Sequence, residues 1–144
     1  AVCGPAVEGA LLAQMVAEEL ELAFFFAEKV TDPHGRPTGP AAHQIPESLR
    51  DAARRKNFAV VDDVINAGSA VQAVLDDLSA CGARPVAIGA LLVLGQSAGA
   101  LAASRKIPLE AVAQHETPLW EPWACPLCAA GRALSSPESD PGEA

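Results

Sequence analysis

The sequence predicts an α/β protein in which a mainly parallel sheet carries helices on both faces. Short apolar segments alternate along the chain with segments of helical periodicity, the order expected of repeated strand and helix units. Aromatic residues make up only 4% of the chain while Ala, Val and Leu are abundant, which suits helices packed closely on a sheet.

The size of the chain predicts one core domain. Its 144 residues, half of them hydrophobic, provide enough apolar surface for a single core. We predict that this domain covers residues 1–134 and that 135–144, rich in Ser, Pro and acidic residues, form a disordered tail. Residues 1–5 indicate the end of a strand without its beginning, so we expect the domain to be N-terminally truncated.

Two elements are predicted in the first part of the chain. Residues 8–20 have apolar side chains at helical spacing, which predicts a helix with the opposite, acidic face in solvent. Residues 22–27, with three consecutive Phe, predict a buried strand. The helix residues expected to face the core are Leu11, Leu12, Met15, Val16 and Leu20.

Residues 28–56 are rich in Pro and Gly, which predicts a long loop without long regular elements. Irregular segments of this length inside a domain are uncommon and are often active-site lids. Plain disorder is the alternative. We favour a lid because candidate binding residues follow directly.

The remaining elements alternate regularly. Residues 58–61 predict a strand that ends at Asp62 and Asp63, and 69–80 predict a helix that ends at Gly82. A buried strand over 85–94, a helix over 97–106 and a strand over 109–114 follow. In such a sheet, ligands bind outside the carboxyl ends of the strands. The helix residues expected to face inward are Val71, Val74, Leu75 and Leu78.

The charge pattern narrows the possible partners. The formal net charge is -8, and the ten Lys and Arg residues are spread thinly, so no nucleic-acid partner is predicted. A phosphorylated small molecule is still compatible, because backbone N–H groups at a helix start can hold phosphate. No apolar run reaches the ~18 residues that a membrane span requires. We therefore predict a cytoplasmic protein without a membrane partner.

The turn after the acid pair has the features of a phosphate site. Its backbone N–H groups would converge at the start of the following helix, and Gly68 would let the chain approach an anion closely. Asp62 and Asp63 would then lie within reach of the hydroxyls of a bound sugar phosphate. The alternative is that the two acids only cap a turn. The turn residues are Asn66, Ala67, Gly68, Ser69 and Ala70.

Residues 60–70 resemble the ribose-phosphate motif of type I phosphoribosyltransferases, in which hydrophobic residues precede two acids and a small-residue turn. Residues 2–13 are similar to the first strand, pyrophosphate loop and helix start of the orotate phosphoribosyltransferase group. Further similarities, at 26–29 and at 125–131, follow in the same order. The resemblance extends from about residue 2 to residue 134.

The resemblance implies a phosphoribosyltransferase that uses phosphoribosyl pyrophosphate, Mg²⁺ and a nucleobase. It places Asp62 and Asp63 on the ribose hydroxyls and residues 66–70 around the 5-phosphate, with Asp63 assisting protonation. Lys29 would be the lid cation that contacts pyrophosphate. No protein residue is assigned as a metal ligand, and a homodimer is implied. The pyrophosphate loop would contribute the substrate-binding residues Gly4, Pro5, Glu8 and Gly9.

The base and the activity stay open at this point. Orotate is the base that the resemblance favours, but orotate-using members carry an Asp-Arg pair where this chain has Leu94-Gly95-Gln96. Another base is one alternative. A relative that senses phosphoribosyl pyrophosphate without catalysis is the other.

The four cysteines predict reduced thiols, because only Cys125 and Cys128 are close in sequence. This Cys-x-x-Cys is half of a structural zinc site. His115, Cys81 or a second subunit would have to complete it.

Overall fold

The computed structural model describes residues 1–34, 38 and 42–132; the predicted tail over 135–144 lies outside them. The strands are β1 (Val2–Pro5), β2 (Phe24–Lys29), β3 (His43–Gln44), β4 (Asn57–Ile65), β5 (Arg84–Leu94) and β6 (Leu109–His115). The helices are α1 (Glu8–Glu19), α2 (Glu47–Ala53), α3 (Ser69–Ala80), α4 (Ser97–Arg105) and α5 (Pro126–Ala129), with a 3-10 turn over Pro122–Ala124.

The strands form one sheet in the order β3-β2-β1-β4-β5-β6. All neighbours are parallel except β3, which runs antiparallel to β2. The predicted mainly parallel sheet is therefore confirmed. The chain proceeds from β1 to one edge and from β4 to the other, so the order reverses between these two strands. Such a reversal opens a crevice at the carboxyl ends of the strands, where ligands bind in this class of fold.

Helices cover both faces, as predicted. The larger core cluster includes Phe58, Val74, Leu78 and Ile88, and it joins α3 and α4 to one face of the sheet. The smaller cluster joins α1 to the other face. All four inward residues predicted for α3 are buried, and Gly82, at φ +77°, ends the turn that follows that helix.

The predicted inward face of α1 is wrong at three of its five positions, whereas Leu12 and Val16 pack against the core as expected. Leu11, Met15 and Leu20 are 58%, 68% and 59% exposed. The residues that α1 buries are small, namely Gly9, Ala13 and Ala17, and they let the helix lie close to the sheet. The large apolar side chains are consequently turned away from this contact, apart from Leu12 and Val16, which are partly buried.

An apolar groove of about 380 Å³ remains beside α1. It is lined by Leu12, Val16, Val61, Leu91 and Val112, together with neighbouring small residues and Glu110. Leu91 is 48% exposed, so the prediction of a fully buried strand over 85–94 is wrong at this position. The side of β5 and β6 that bears the groove extends beyond the part of the sheet that α1 covers.

Two predicted boundaries are also corrected. The acid pair does not end a strand: β4 continues to Ile65, because Val64 and Ile65 pair with Leu92 and Val93 of β5. The predicted loop over 28–56 contains both β3 and α2. Pro46 directly precedes α2, a position at a helix start where proline is compatible with the helix that follows.

Within the ranges that the structure describes, no helix is long and apolar enough to cross a membrane. The longest helices, α1 and α3, have 12 residues each. A spanning helix needs about 20 apolar residues. The cytoplasmic location stays a prediction.

Candidate active site

Two turns meet at the crevice between β1 and β4. One leads from β1 into α1, and the other leads from β4 into α3, so both leave the carboxyl ends of neighbouring parallel strands. Cys3 pairs with Val60. Continuing this register along both strands places Pro5 level with Asp62. Residues far apart in the sequence therefore converge here, as the alternation of elements predicts.

The turn after β1 is built on close backbone contacts. A Cβ atom on Gly4 would overlap the carbonyl oxygen of Gly9, so position 4 cannot accept a side chain without moving the start of α1. The Ala6 N–H donates to the Ala27 carbonyl oxygen of β2 at 2.7 Å. The Ala6–Val7 peptide bond is cis. Glu8 is exposed at the start of α1, whereas Gly9 is buried.

The turn after β4 presents free backbone donors. Gly68 adopts φ +78° as the N-cap of α3, and no side chain caps this helix. Among the described residues, no protein group accepts a hydrogen bond from the backbone N–H groups of residues 67–70. The first turn of α3 contains no acid. Uncapped N–H groups and the helix dipole together favour an anion at this place.

A cavity of about 260 Å³ lies over this turn. The residues that line it are Asp62, Val64, Ile65, Asn66, Ala67, Gly68, Ser69, Ala70 and Val71. All five turn residues predicted for the phosphate site therefore share one cavity with the first acid of the pair. Val64 and Ile65 are lining residues that the sequence did not indicate, because the strand was expected to end before them.

Asp62 is the more buried acid, only 9% exposed. Burial, and then the neighbouring charge of Asp63, raise the pKa of its carboxyl to about 7, and Glu8 adds to the rise. The backbone N–H of Asp63 donates to Asp62 Oδ1 at 3.2 Å, which acts in the opposite direction. Near neutral pH a large fraction of Asp62 therefore carries a proton and can donate a hydrogen bond as well as accept one.

Lys29 is exposed at the last position of β2. Ala27 pairs with Pro5, the last residue of β1, so Lys29 lies two residues beyond the end of β1 at the edge of the sheet that carries both turns. It does not line the cavity over the β4–α3 turn. The structure thus places Lys29 at the edge of the sheet that carries both turns but outside the cavity over the β4–α3 turn.

A family model described as a phosphoribosyl transferase domain matches residues 1–115. The chain belongs to this family. The predicted membership of the type I phosphoribosyltransferases is confirmed, and the family's sheet accounts for the meeting of the two turns.

Curated relatives of this phosphoribosyltransferase domain are named orotate phosphoribosyltransferase. The protein from Thermotoga petrophila is 30% identical over 138 residues, which are 96% of this chain and 66% of the relative. The protein from Thermotoga maritima is 29% identical over the same coverage. The chain therefore spans slightly less than two thirds of the length of these relatives.

Solved structures show the same fold. Orotate phosphoribosyltransferase from Aeropyrum pernix superposes with a TM-score of 0.62 at 25% identity, covering 78% of this chain and 59% of that one. Adenine phosphoribosyltransferase from Thermoanaerobacter pseudethanolicus gives the same TM-score at 18% identity, covering 79% and 68%. At that identity the second similarity concerns the fold alone.

The carboxylates of this phosphoribosyltransferase domain fit a magnesium ion that is held jointly with a substrate. Among the described residues, no group of three or more His, Cys, Asp or Glu side chains could hold a metal. Mg²⁺, however, commonly binds one or two carboxylates and completes its shell with substrate phosphates and water. Asp63 and Glu8 are the accessible carboxylates beside the buried Asp62 and could serve in this way.

An ion pair that the sequence did not indicate fixes the end of the loop over 28–56. Arg50 Nη1 and Nη2 both contact Asp77 Oδ1 at 3.1 Å, and the Ile45 N–H donates to Asp77 Oδ2 at 2.7 Å. Asp77 thereby joins the segment between β3 and α2 to α3, the helix that begins at the cavity over the β4–α3 turn. Arg50 and Asp77 are distant in sequence, so no local sequence pattern predicts that they form a pair.

Proposed function

We propose that this domain binds phosphoribosyl pyrophosphate and transfers its phosphoribosyl group to a nucleobase, most specifically to orotate, giving orotidine monophosphate. The observation that carries the proposal is the close approach of Gly9, in the first turn of α1, to Asp62 of β4, which places the turns after β1 and β4 side by side. A ligand with phosphate at one end, a second anionic group at the other and hydroxyls between them would fit across both turns. Phosphoribosyl pyrophosphate has this order of groups.

The 5-phosphate is proposed to occupy the cavity over the β4–α3 turn. The unused N–H groups of residues 67–70 supply donors without a cationic side chain, and the Ser69 hydroxyl supplies one more. Gly68 holds the left-handed conformation that turns the backbone toward the helix start. The net charge of -8 is compatible with this mode, since the phosphate is held by backbone groups.

The acid pair is proposed to hold the ribose hydroxyls. Asp62, which carries a proton in part near neutral pH, can donate to one hydroxyl oxygen, whereas Asp63 can accept from another. In the reaction the bond from C1′ to the pyrophosphate oxygen breaks and a bond to the base nitrogen forms. We propose that Asp63 exchanges the proton of the base. The fixed carboxylates otherwise act by position and by stabilising the positive charge on ribose.

Pyrophosphate is proposed to lie over the β1–α1 turn, at residues 4–9, with Lys29 approaching when the segment after β2 closes. Lys29 lies at that edge of the sheet, and its exposed position leaves the ammonium free to move. Magnesium, when bound, would supply positive charge that weakens the bond to the leaving pyrophosphate. Asp63 and Glu8 are the side chains proposed to orient it.

Orotate is supported by the curated relatives, which are 25–30% identical to this chain over most of its length. Position 95 bears on this choice. Gly95 adopts φ +65°, and a Cβ there would lie 2.8 Å from the Thr117 carbonyl oxygen. An arginine could not replace this glycine without rearrangement. Two alternatives to an orotate-using enzyme therefore stay open: an enzyme that uses a different base, and a relative that senses the donor without catalysis.

The deciding experiment follows pyrophosphate release. The full-length protein is mixed with Mg²⁺, phosphoribosyl pyrophosphate and one nucleobase at a time: orotate, uracil, adenine, guanine or hypoxanthine. Release with orotate supports the proposal, and release with another base assigns that base instead. Donor binding by calorimetry without release for any base supports the sensing alternative. Absence of donor binding would overturn all three.

A homodimer is also proposed, in line with the family resemblance. In β2, Phe25 is only 5% exposed and Phe24 is 39% exposed, so this strand offers little free apolar surface for a contact. The groove beside α1 is a better candidate surface, because Leu91 and Val112 are 48% and 83% exposed there. Sedimentation at micromolar concentration should give a dimer, and Val112→Asp should weaken it. A monomer with full activity would contradict the proposal.

A further inference from the structure

The Cys-x-x-Cys segment after β6 brings Cys125 Sγ into contact with the backbone of Cys128. Cys125 is the N-cap of the short helix α5, and the Cys128 N–H donates to Cys125 Sγ at 3.5 Å. Cys128 is exposed and Cys125 is half-buried, so small reagents can reach both. Cys3 and Cys81, in contrast, are buried in the core. The chain thus contains two accessible thiols and two protected ones.

We propose that Cys125 and Cys128 form a redox-active dithiol that exchanges with low-molecular-weight disulfides, Cys125 as the attacking thiolate and Cys128 as the resolving thiol. This role is independent of the proposed transfer reaction. It also makes these cysteines a site of modification under oxidising conditions, whereas the sequence indicated only reduced structural thiols.

The assignment of roles follows from the hydrogen bonds. The backbone N–H of Cys128 donates to Cys125 Sγ, and this hydrogen bond together with the neighbouring Cys128 thiol lowers the pKa of Cys125. The neighbouring Cys125 thiol in turn raises the pKa of Cys128. The thiolate is the nucleophile in thiol–disulfide exchange, so the cysteine with the lowered pKa reacts first.

The core cysteines provide an internal contrast. Burial raises the pKa of Cys3 to about 12, and Asp77 adds to this effect. Burial and Asp77 also raise the pKa of Cys81. Neither thiol is expected to ionise or to meet a reagent while the protein is folded, so reactivity should be confined to one segment.

The exchange proceeds in two balanced steps. The Cys125 thiolate attacks one sulfur of glutathione disulfide, the sulfur–sulfur bond of that molecule breaks, and one glutathione thiolate leaves. The Cys128 thiol then loses its proton to solvent and attacks Cys125 Sγ, which breaks the mixed disulfide and releases the second glutathione. The protein dithiol is oxidised by two electrons, and glutathione disulfide is reduced by the same two.

A single-chain zinc site does not compete with this proposal in the described part of the chain. No third His, Cys, Asp or Glu lies close enough to Cys125 and Cys128 to complete a metal cluster there. His115 and Cys81, the two completing residues considered from the sequence, therefore do not join them. A zinc ion shared by two copies of the chain is the rival that the experiment has to separate.

The test treats the folded, metal-free protein with glutathione disulfide and follows its intact mass. Wild type should lose the mass of two hydrogen atoms, and peptide mapping should place the disulfide between Cys125 and Cys128 with Cys3 and Cys81 unmodified. Trp123, two residues before Cys125 and 84% exposed, offers a fluorescence signal for the same event. Dithiothreitol should reverse both changes.

Single variants test the assigned roles. Cys128→Ser should accumulate one glutathionyl group on Cys125, because the resolving thiol is missing. Cys125→Ser should react more slowly than Cys128→Ser, by roughly tenfold or more, if the hydrogen bonds activate Cys125. Thermal melting of both variants checks that they fold. Equal labelling of all four cysteines in folded wild type, or equal rates for the two variants, would overturn the proposal.

The zinc rival gives a different result. If two chains shared one ion, wild type purified without chelator would contain one zinc per two chains, and its thiols would resist glutathione disulfide until the metal was removed. Double substitution of Cys125 and Cys128 would then abolish the metal and lower the thermal stability of the assembly. That outcome would overturn the redox assignment in favour of a structural metal.

Discussion

The carboxylate of Asp62 packs against the backbone of Gly9. A Cβ atom at position 9 would lie 2.5 Å from Asp62 Oδ1 and 2.8 Å from Pro5 Cδ. The contact joins the turn after β1, where pyrophosphate is proposed to bind, to the strand that carries the acid pair. The contact brings the start of α1 and the acid pair into one place.

Gly9→Ala should therefore destabilise the fold by about 1–3 kcal/mol, because the added methyl group must displace Asp62 or Pro5. Donor affinity should fall as well. Gly99→Ala is the matched control: nothing lies within 4 Å of its Cβ in α4, so the change should stabilise the protein by about 0.5–1 kcal/mol. Urea unfolding measures both effects. Equal unfolding free energies for the two variants would contradict the contact.

Replacing the acid pair should weaken donor binding. Asp62→Asn with Asp63→Asn removes the carboxyl groups that are proposed to bind the ribose hydroxyls, at roughly 1–3 kcal/mol for each lost hydrogen bond. Asp51→Asn, on an exposed side chain of α2, serves as the control. Calorimetric titration with phosphoribosyl pyrophosphate and Mg²⁺ gives the affinities. Unchanged donor affinity in the double variant would contradict the proposal that these two acids bind the ribose.

The raised pKa of Asp62 has a consequence for stability against pH. The folded state favours the protonated form, with a pKa of about 7 instead of the ordinary 3.8, so the folded protein binds more protons than the unfolded chain between these values. The contribution of Asp62 to stability is full below the ordinary pKa. It falls as the pH rises, by up to roughly 1.4 kcal/mol per pH unit, until the folded pKa is passed.

Asp62→Asn, which cannot ionise, should lack this loss. Its free energy of unfolding relative to wild type should therefore increase from about pH 4 to about pH 8. Chemical denaturation at a series of pH values measures the difference. A difference that does not change with pH would mean that the carboxyl of Asp62 titrates in the same range in the folded and unfolded states.

Lys29→Ala tests the proposed lid cation. If Lys29 contacts pyrophosphate only after closure, kcat should fall at least about tenfold, or ~1.4 kcal/mol of barrier, while donor affinity changes little. Lys56→Ala is the control, because Lys56 lies next to the amino end of β4, at the opposite edge of the sheet. Equal losses in affinity and rate would indicate a contact already made in the ground state. If neither donor affinity nor kcat changes, Lys29 is a solvent-exposed residue without a catalytic part.

Asp77 and Asp76 offer a comparison of neighbouring acids. Asp77, 11% exposed, accepts from both Arg50 and the Ile45 backbone, so Asp77→Ala should cost about 2–3 kcal/mol. Asp76, 54% exposed, pairs with Arg105 at the surface, so Asp76→Ala should cost no more than about 1 kcal/mol. Thermal and urea unfolding measure the difference. Similar losses would mean that the Arg50 pair does not anchor the segment before α2.

The sequence by itself determined the features that rest on local patterns. The inward face of α3 follows from a spacing that any isolated helix would show, and all four predicted residues are buried. The turn over 66–70 followed from its small residues and from the similarity of 60–70 to a known motif. The parallel sheet followed from the alternation of elements, because parallel neighbours need a crossover between them.

Only the tertiary structure decided the features that depend on distant partners. Pairing with β5 extended β4 beyond the acid pair, and packing against Gly9 buried Asp62 and raised its pKa. Because α1 lies close to the sheet, it buries its small residues and leaves most of its large apolar ones exposed. Asp77 of α3 forms the ion pair with Arg50 of α2. Desolvation, strand pairing and ion pairing all depend on residues that only folding brings together. The sequence pattern around each residue therefore cannot predict these effects.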